Sequence, residues 1–345
     1  MGRPVLALAT FVLATCTQAP ITEPAPSRVT TWPPASVAAS PDGALAVGSL
    51  HNAAVSVVPP GRDAPVNVTS GAVPGSTRFL LPSGMRYAED GTLFLVDTAG
   101  RGVRAARPGG SVEGVPLAGP DGEELELLYP TGLAVAADGT LWVADTTAHR
   151  VVRIDPEGAA SVAVGSSEPS PEPSFAGDGG PADEALLAYP GALALGPDES
   201  LYIADTGNRR IRRVLPDGTI ETVAGNGRRR FAGDGGPATE TAIGTPRGMA
   251  VDSAGTLYFT AGHRLRSVSS DGTISTVAGT DVRGCAGDGG PAADARLSLP
   301  MGVAVGPDDT VYVADHQNHI VRAVTLRGTI VTAVALGDPP SQACL

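Results

Sequence analysis

The side chains of this sequence that could do chemistry are five histidines, two sets of recurring aspartates and a knot of arginines. His149, His263 and His319 fill one recurring position, which Arg209 takes in another copy of the same pattern. Ligands for one metal ion must converge, whereas residues repeated once per copy are spread apart. His51 and His316 form no pair at ligand spacing. Asp97, Asp145, Asp205 and Asp315 also recur once per copy, each closing an apolar run. A carboxylate there can accept hydrogen bonds from the amides of the next turn, while catalysis needs one special pair. Structural capping is the expectation. Asp178, Asp234 and Asp288 stand in Gly-Asp-Gly-Gly loops. Those loops lack the alternating acidic ligands and distal glutamate of a calcium loop, so a turn role is expected.

The arginines carry more promise. Arg209, Arg210, Arg228, Arg229 and Arg230 lie in one turn and in the link that follows two strands later. Guanidinium forks hold anions through paired donors, so the cluster is a candidate patch for an anionic ligand or partner. Arg212 and Arg213, on the strand between, are expected to be solvated. The surrounding protein is acidic, with a net charge of −12. A surface that tracks phosphates needs a positive field, which argues against nucleic acid as a partner. No nucleophile elbow, no phosphate loop with its Lys-Ser/Thr and no Cys-His pairing is present. No cofactor is expected.

A repeat positions all of these residues. Residues 189–220 read YPGALALGPDESLYIADTGNRRIRRVLPDGTI, and 81–110, 129–158, 245–274 and 299–330 copy them. A weaker copy starts near Pro34, so the lead prolines are Pro34, Pro82, Pro130, Pro190, Pro246 and Pro300. A period of roughly 50 residues marks an array or propeller. Within a copy, 192–195, 200–204, 211–215 and 219–224 read as strands. Leu201, Tyr202 and Ile203 are consecutive apolar residues, which implies burial on both faces of the sheet. Nothing in the repeat suits a crossover helix, so neighbouring sheets must supply the cover. The fold class predicted is all-β: a six-bladed propeller of four-stranded antiparallel blades over 34–337.

Strand direction sorts the loops. Tight Asp-Gly turns such as Asp138-Gly139 and Asp271-Gly272 fall at one end of each blade. The second-to-third turns and the blade-to-blade links fall at the other. Long loops on a rigid scaffold commonly carry function, so the link face is the candidate surface. Three links share FAGDGGPA-type residues (175–182, 231–238 and 285–292), each followed by an Ala-rich segment fit for one helical turn. These motifs, with PxGLAV, LYIADTGNRRIRRV and TVAG, resemble bacterial NHL-repeat proteins. The resemblance covers about 34–337 and implies a binding scaffold that is not an enzyme. Ala261 and Ser49 depart from the repeat aspartate. Other six-bladed propellers are calcium-dependent lactonases and lyases, which need acidic and amide ligands converging on the channel. The channel strands around Gly132, Gly191 and Gly302 read as uncharged.

The ends add an address. Residues 1–15 give one positive charge and a short apolar core, an export signal. The stretch ending in Leu13-Ala14-Thr15-Cys16 resembles the lipobox of bacterial lipoproteins, with Cys16 as the acylated residue; simple secretion is the alternative. Residues 16–33, rich in Pro, Thr and Ala, read as a stiff tether, and 338–345 as a tail. Cys285 and Cys344 are the remaining cysteines. Both are expected on the link face, and a disulfide between them would suit an oxidising compartment. The expectation is an exported, monomeric binding propeller of the cell envelope, engaging a protein, peptide or glycan, and touching membrane only through a lipid anchor.

Overall fold

The computed structural model describes residues 27–29, 33–49, 54–60, 66–68, 82–109, 112–166, 172–229 and 231–336. Six sheets follow one another along the chain, and each contains four strands paired antiparallel in sequence order. In the blade that begins at Pro190 the strands are Pro190–Leu195, Leu201–Asp205, Arg210–Val214 and Ile220–Ala224. The strand that begins with the lead proline lies innermost in every blade, and the blades are numbered one to six here by those prolines. This is the all-β six-bladed propeller that the repeat predicts.

The core is divided among the blade junctions. Six clusters of buried apolar residues lie between successive sheets. One joins Val37 and Val47 of blade one to Ala314, Val321 and Val334 of blade six. The ring is therefore closed by the same side-chain packing that joins its other blades. Leu201, Tyr202 and Ile203 are all buried, as their consecutive apolar run requires.

The lead motif explains how six sheets meet at one axis. Proline opens the inner strand, where no ladder donor is needed, and a bulge follows between Pro190 and Leu193. Bulges sit at the same place in blades two, five and six, adding local twist. The glycine of Pro-x-Gly permits backbone-to-backbone contact. A Cβ at Gly302 would lie 2.8 Å from Ser36 Cα and 2.9 Å from Val37 N in the adjoining blade.

Two features lie beyond the sequence reading. Ser27–Val29 pairs in parallel with Ile330–Leu336, so blade six gains a fifth strand on its outer edge. The tether expected over 16–33 thus gives way to a strand there, which shields the last outer edge. The one-turn helices are short 3-10 turns at Ala182–Glu184, Ala238–Glu240 and Ala292–Asp294, each set one residue earlier than expected. Among the described residues no helix is long and apolar enough to cross a membrane.

Replacing Gly302 by valine is expected to cost about 3 kcal/mol, because the obstruction is backbone and cannot turn aside. A urea midpoint unchanged in Gly302→Val would show that the inner strands are not in such contact.

Candidate functional site: the central channel and its mouth

The long links are strapped to the blades. Gly179 N–H donates to the Ile220 carbonyl, Ile220 N–H to Gly180, and Ala182 N–H to Gly218. The same pattern ties Gly235 to Ile274 and Gly289 to Ile330. The links thus spend their length along the outer strand of the next blade, and the expectation that they project as binding loops is corrected for these segments.

What fastens them is a buried arginine. Arg212 is fully buried, not solvated as its outer position suggested, and lies 2.6 Å from Asp178 and 3.7 Å from Asp205. It also donates to the carbonyls of Ala176 and Leu186. Arg266 meets Asp234, and Arg322 meets Asp288, each at 2.5 Å. The loop aspartates are therefore counter-ions, beyond the turn role expected. A bulge between Ile211 and Arg212 turns each such side chain inward. Phe175 covers Arg212 at 4.9 Å, Phe231 covers Arg266 at 4.3 Å, and Cys285 stands in the third copy. Arg213 is only half-buried and pairs with Glu221.

The repeat aspartates are capping groups, for the next turn as expected and also for the link ahead of their own blade. Asp145, Asp205 and Asp315 accept the amides of Tyr129, Ala188 and Ser298, just ahead of their own lead prolines. From the following turn, Asp97 accepts the backbone amide of Gly100, and Asp205 and Asp315 accept the side-chain amides of Asn208 and Asn318. Burial pushes the carboxyl of Asp205 up to about 6 and that of Asp315 up to about 7. The histidines are structural too. His149 and His263 accept the amides of Tyr189 and Leu299 in the following blade. His149 and His319 adopt left-handed backbone conformations. His316 bonds the Pro34 carbonyl at 3.0 Å, across the closing junction. His51 lies outside the described residues.

The channel is the concave feature that all six blades share. Toward the link face it opens as a chamber of about 310 Å³. Its walls carry Met85, Leu193, Met249 and Val303, with hydroxyls of Ser83, Thr131 and Thr206 among them. Tyr129 and Tyr189 stand at the mouth, 43% and 44% exposed. Beyond it lies a smaller chamber of about 180 Å³, and Arg86 lines both. Arg86 reaches across the axis from blade two, donating to Met85, Leu193 and Met249 carbonyls at 2.8, 3.1 and 2.7 Å. Burial lowers its guanidinium to about 10, which leaves it charged at neutral pH. The uncharged channel read from three inner strands is thus corrected by a fourth. Neither chamber has a carboxylate or histidine in its wall. Among the described residues no group of three or more His, Cys, Asp or Glu could hold a metal ion. The channel lining does not fit a divalent cation, since its charged side chains, Arg86 and Arg247, are themselves cations.

The expected arginine patch is rearranged. Arg210 stacks on Phe175 at 4.0 Å and donates to the carbonyls of Asn208 and Asn226. Arg209 is half-buried, while Arg228 and Arg229 are exposed. Arg230 lies outside the described residues. Arg209 and Arg229 instead join Arg247 and His263 around a cavity of about 460 Å³ at the link face. Those last two come from blade five, and only strand direction could have placed them there. A wider cavity of about 1130 Å³ opens between blades three and four on the opposite face. Its Asp138 and Asp217 cap their own turns at Thr140 and Thr219. Cys285 is half-buried and disulfide-bonded. Cys344, the partner expected for it, and Cys16 both lie outside the described residues.

Residues 216–286 match the Teneurin NHL domain, and residues 7–180, just over half of the chain, match the SMP-30/Gluconolactonase/LRE-like region. The chain belongs to that second family, as an NHL-repeat β-propeller. Mouse Teneurin-1 is 30% identical to this NHL propeller over 153 residues, 39% of the chain but 6% of the teneurin. An auxiliary nutrient binding protein from Bacteroides thetaiotaomicron superposes with TM-score 0.63 at 14% identity, covering 87% of this chain and 69% of that one. A gluconolactonase from Xanthomonas campestris gives TM-score 0.56 at 16% identity, over 82% and 83%. At these identities the likeness is one of fold.

Removing Asp178 should expose the cost of a buried, under-compensated arginine. Asp178→Ala is expected to lose about 2–3 kcal/mol, somewhat less than a fully buried partner because Asp178 stays partly exposed and Asp205 remains. Adding Arg212→Met should recover most of that loss. Additive losses in the denaturation cycle would refute the pairing.

Proposed function

We propose that this NHL propeller is a non-catalytic binding module of the cell envelope that engages an anionic stretch of a protein, peptide or glycan through its link face. The observation that carries the reading is the cationic cavity on that face. Arg209, Arg229 and Arg247 line it, and the carboxylate in its wall, Asp281, pairs with Arg264. Such a patch selects an anionic partner, while the net charge of −12 keeps copies of the chain apart. The nutrient-binding propeller of similar fold is in keeping with this reading. The rival is a metal-dependent lactonase or lyase, suggested by the family and by the gluconolactonase of similar fold. The binding reading is preferred because Arg86, and no carboxylate, occupies the channel.

Anisotropy of a fluorescein-labelled poly-glutamate peptide at low salt tests the patch. Binding should weaken about tenfold in Arg228→Ala/Arg229→Ala, with little change in Tm because exposed charges contribute little to stability. Equal binding by both proteins would return these arginines to a solvated surface.

The envelope address rests on residues 1–16. With Cys16 acylated, the wild-type chain expressed with its leader should enter the detergent phase and Cys16→Ser should remain aqueous. Equal partitioning of the two would leave secretion in place of anchoring.

A further inference from the structure

We propose that Arg86 is the anchor of a carboxylate-binding site inside the channel, taking the head of a small organic acid whose body fills the link-face chamber. Arg86 carries a charge that no carboxylate among the described residues balances. A guanidinium withdrawn from bulk water needs a counter-charge or a full set of acceptors. Arg212, Arg266 and Arg322 each have a carboxylate within 2.6 Å. Arg86 has none among the described residues, and carbonyls meet three of its five N–H donors. Among the described residues the Nε–H and one Nη1–H have no protein acceptor, the side chain is only half-buried, and the channel walls hold no negative charge.

The chamber above supplies the rest of a ligand site. Its volume of about 310 Å³ stands at the small end of sites for small molecules, which run from about 300 to 1,000 Å³. Met85, Leu193, Met249 and Val303 offer apolar contact, and the hydroxyls of Ser83, Thr131 and Thr206, whose protons go to backbone carbonyls, can accept. Arg86 meets a carboxylate through single N–H contacts, since its open donors lie on separate edges of the guanidinium, and the exposed Arg247 adds a second cation in the same chamber wall. A phosphate would bring more charge and more acceptor oxygens than this floor can meet. The inference goes beyond the rim patch, because Arg228 and Arg229 take no part in it.

Calorimetry and thermal shift of the full chain decide the matter, with hexanoate and benzoate against hexanamide, benzamide and inorganic phosphate. The two acids should bind and raise Tm, and the amides should not. Arg86→Met, which removes the charge but keeps the length, should weaken acid binding by about tenfold or more with Tm unchanged or higher. Arg86→Lys, which keeps charge but loses the fork, should bind at intermediate strength; it and the acid-against-amide comparison decide the question if Arg86→Met does not fold. Acids that fail to bind, amides that bind equally, binding retained in Arg86→Met, or binding of phosphate alone would each overturn the site. Such a failure beside intact poly-glutamate binding sinks the channel site and leaves the link-face reading standing. Acid binding without poly-glutamate binding does the reverse.

Discussion

A four-stranded sheet that is apolar on both faces has no stable existence alone in water. Every blade of this propeller is such a sheet, and its two faces are satisfied only by the blades on either side. The requirement ends only when the last sheet meets the first, as Val334 and Val321 meet Val37 and Val47. Several local features follow from it. The glycines of Pro-x-Gly at Gly84, Gly132, Gly248 and Gly302 exist because sheets that cover one another must converge at the axis, where Cβ atoms would collide. The hydroxyls of Thr146 and Thr206, donating to the carbonyls of Pro190 and Pro246, seal the polar seam between inner strands.

Closing a ring of sheets leaves each chain crossing from an outer strand to the next inner one. Those crossings are long and polar, and loose loops of that length would lose much conformational entropy on ordering. Buried ion pairs and short ladders fix them instead. The copies differ informatively. Where Ala261 replaces the repeat aspartate, Arg266 keeps only its loop carboxylate, Asp234. Where Cys285 replaces phenylalanine, the chain is held at that point by a disulfide in place of a ring stacked on the arginine.

Much of this was legible in the sequence. The period gave the blade count, consecutive apolar residues in 201–203 required cover on both faces, and proline with glycine marked the inner strands. Asp145 and His149 were correctly assigned to structure because they recur. The role of Arg212 was hidden, since an arginine two residues into a strand looks solvated until the bulge that turns it inward is known. Arg86 was missed for a different reason. It sits where other copies carry alanine, a departure in one repeat that averaging over repeats conceals. Arg247 and His263 joined Arg209 and Arg229 through the lateral placement of adjacent blades, which no linear spacing records.

The strand at Ser27–Val29 lies on the circumference of the ring, hydrogen-bonded to the outermost strand of blade six. Any force transmitted along the chain from upstream of it therefore arrives at the perimeter, as a shear along a parallel ladder. The hub is spared that load. That strand sits apart from the axis, where a solute would enter the channel.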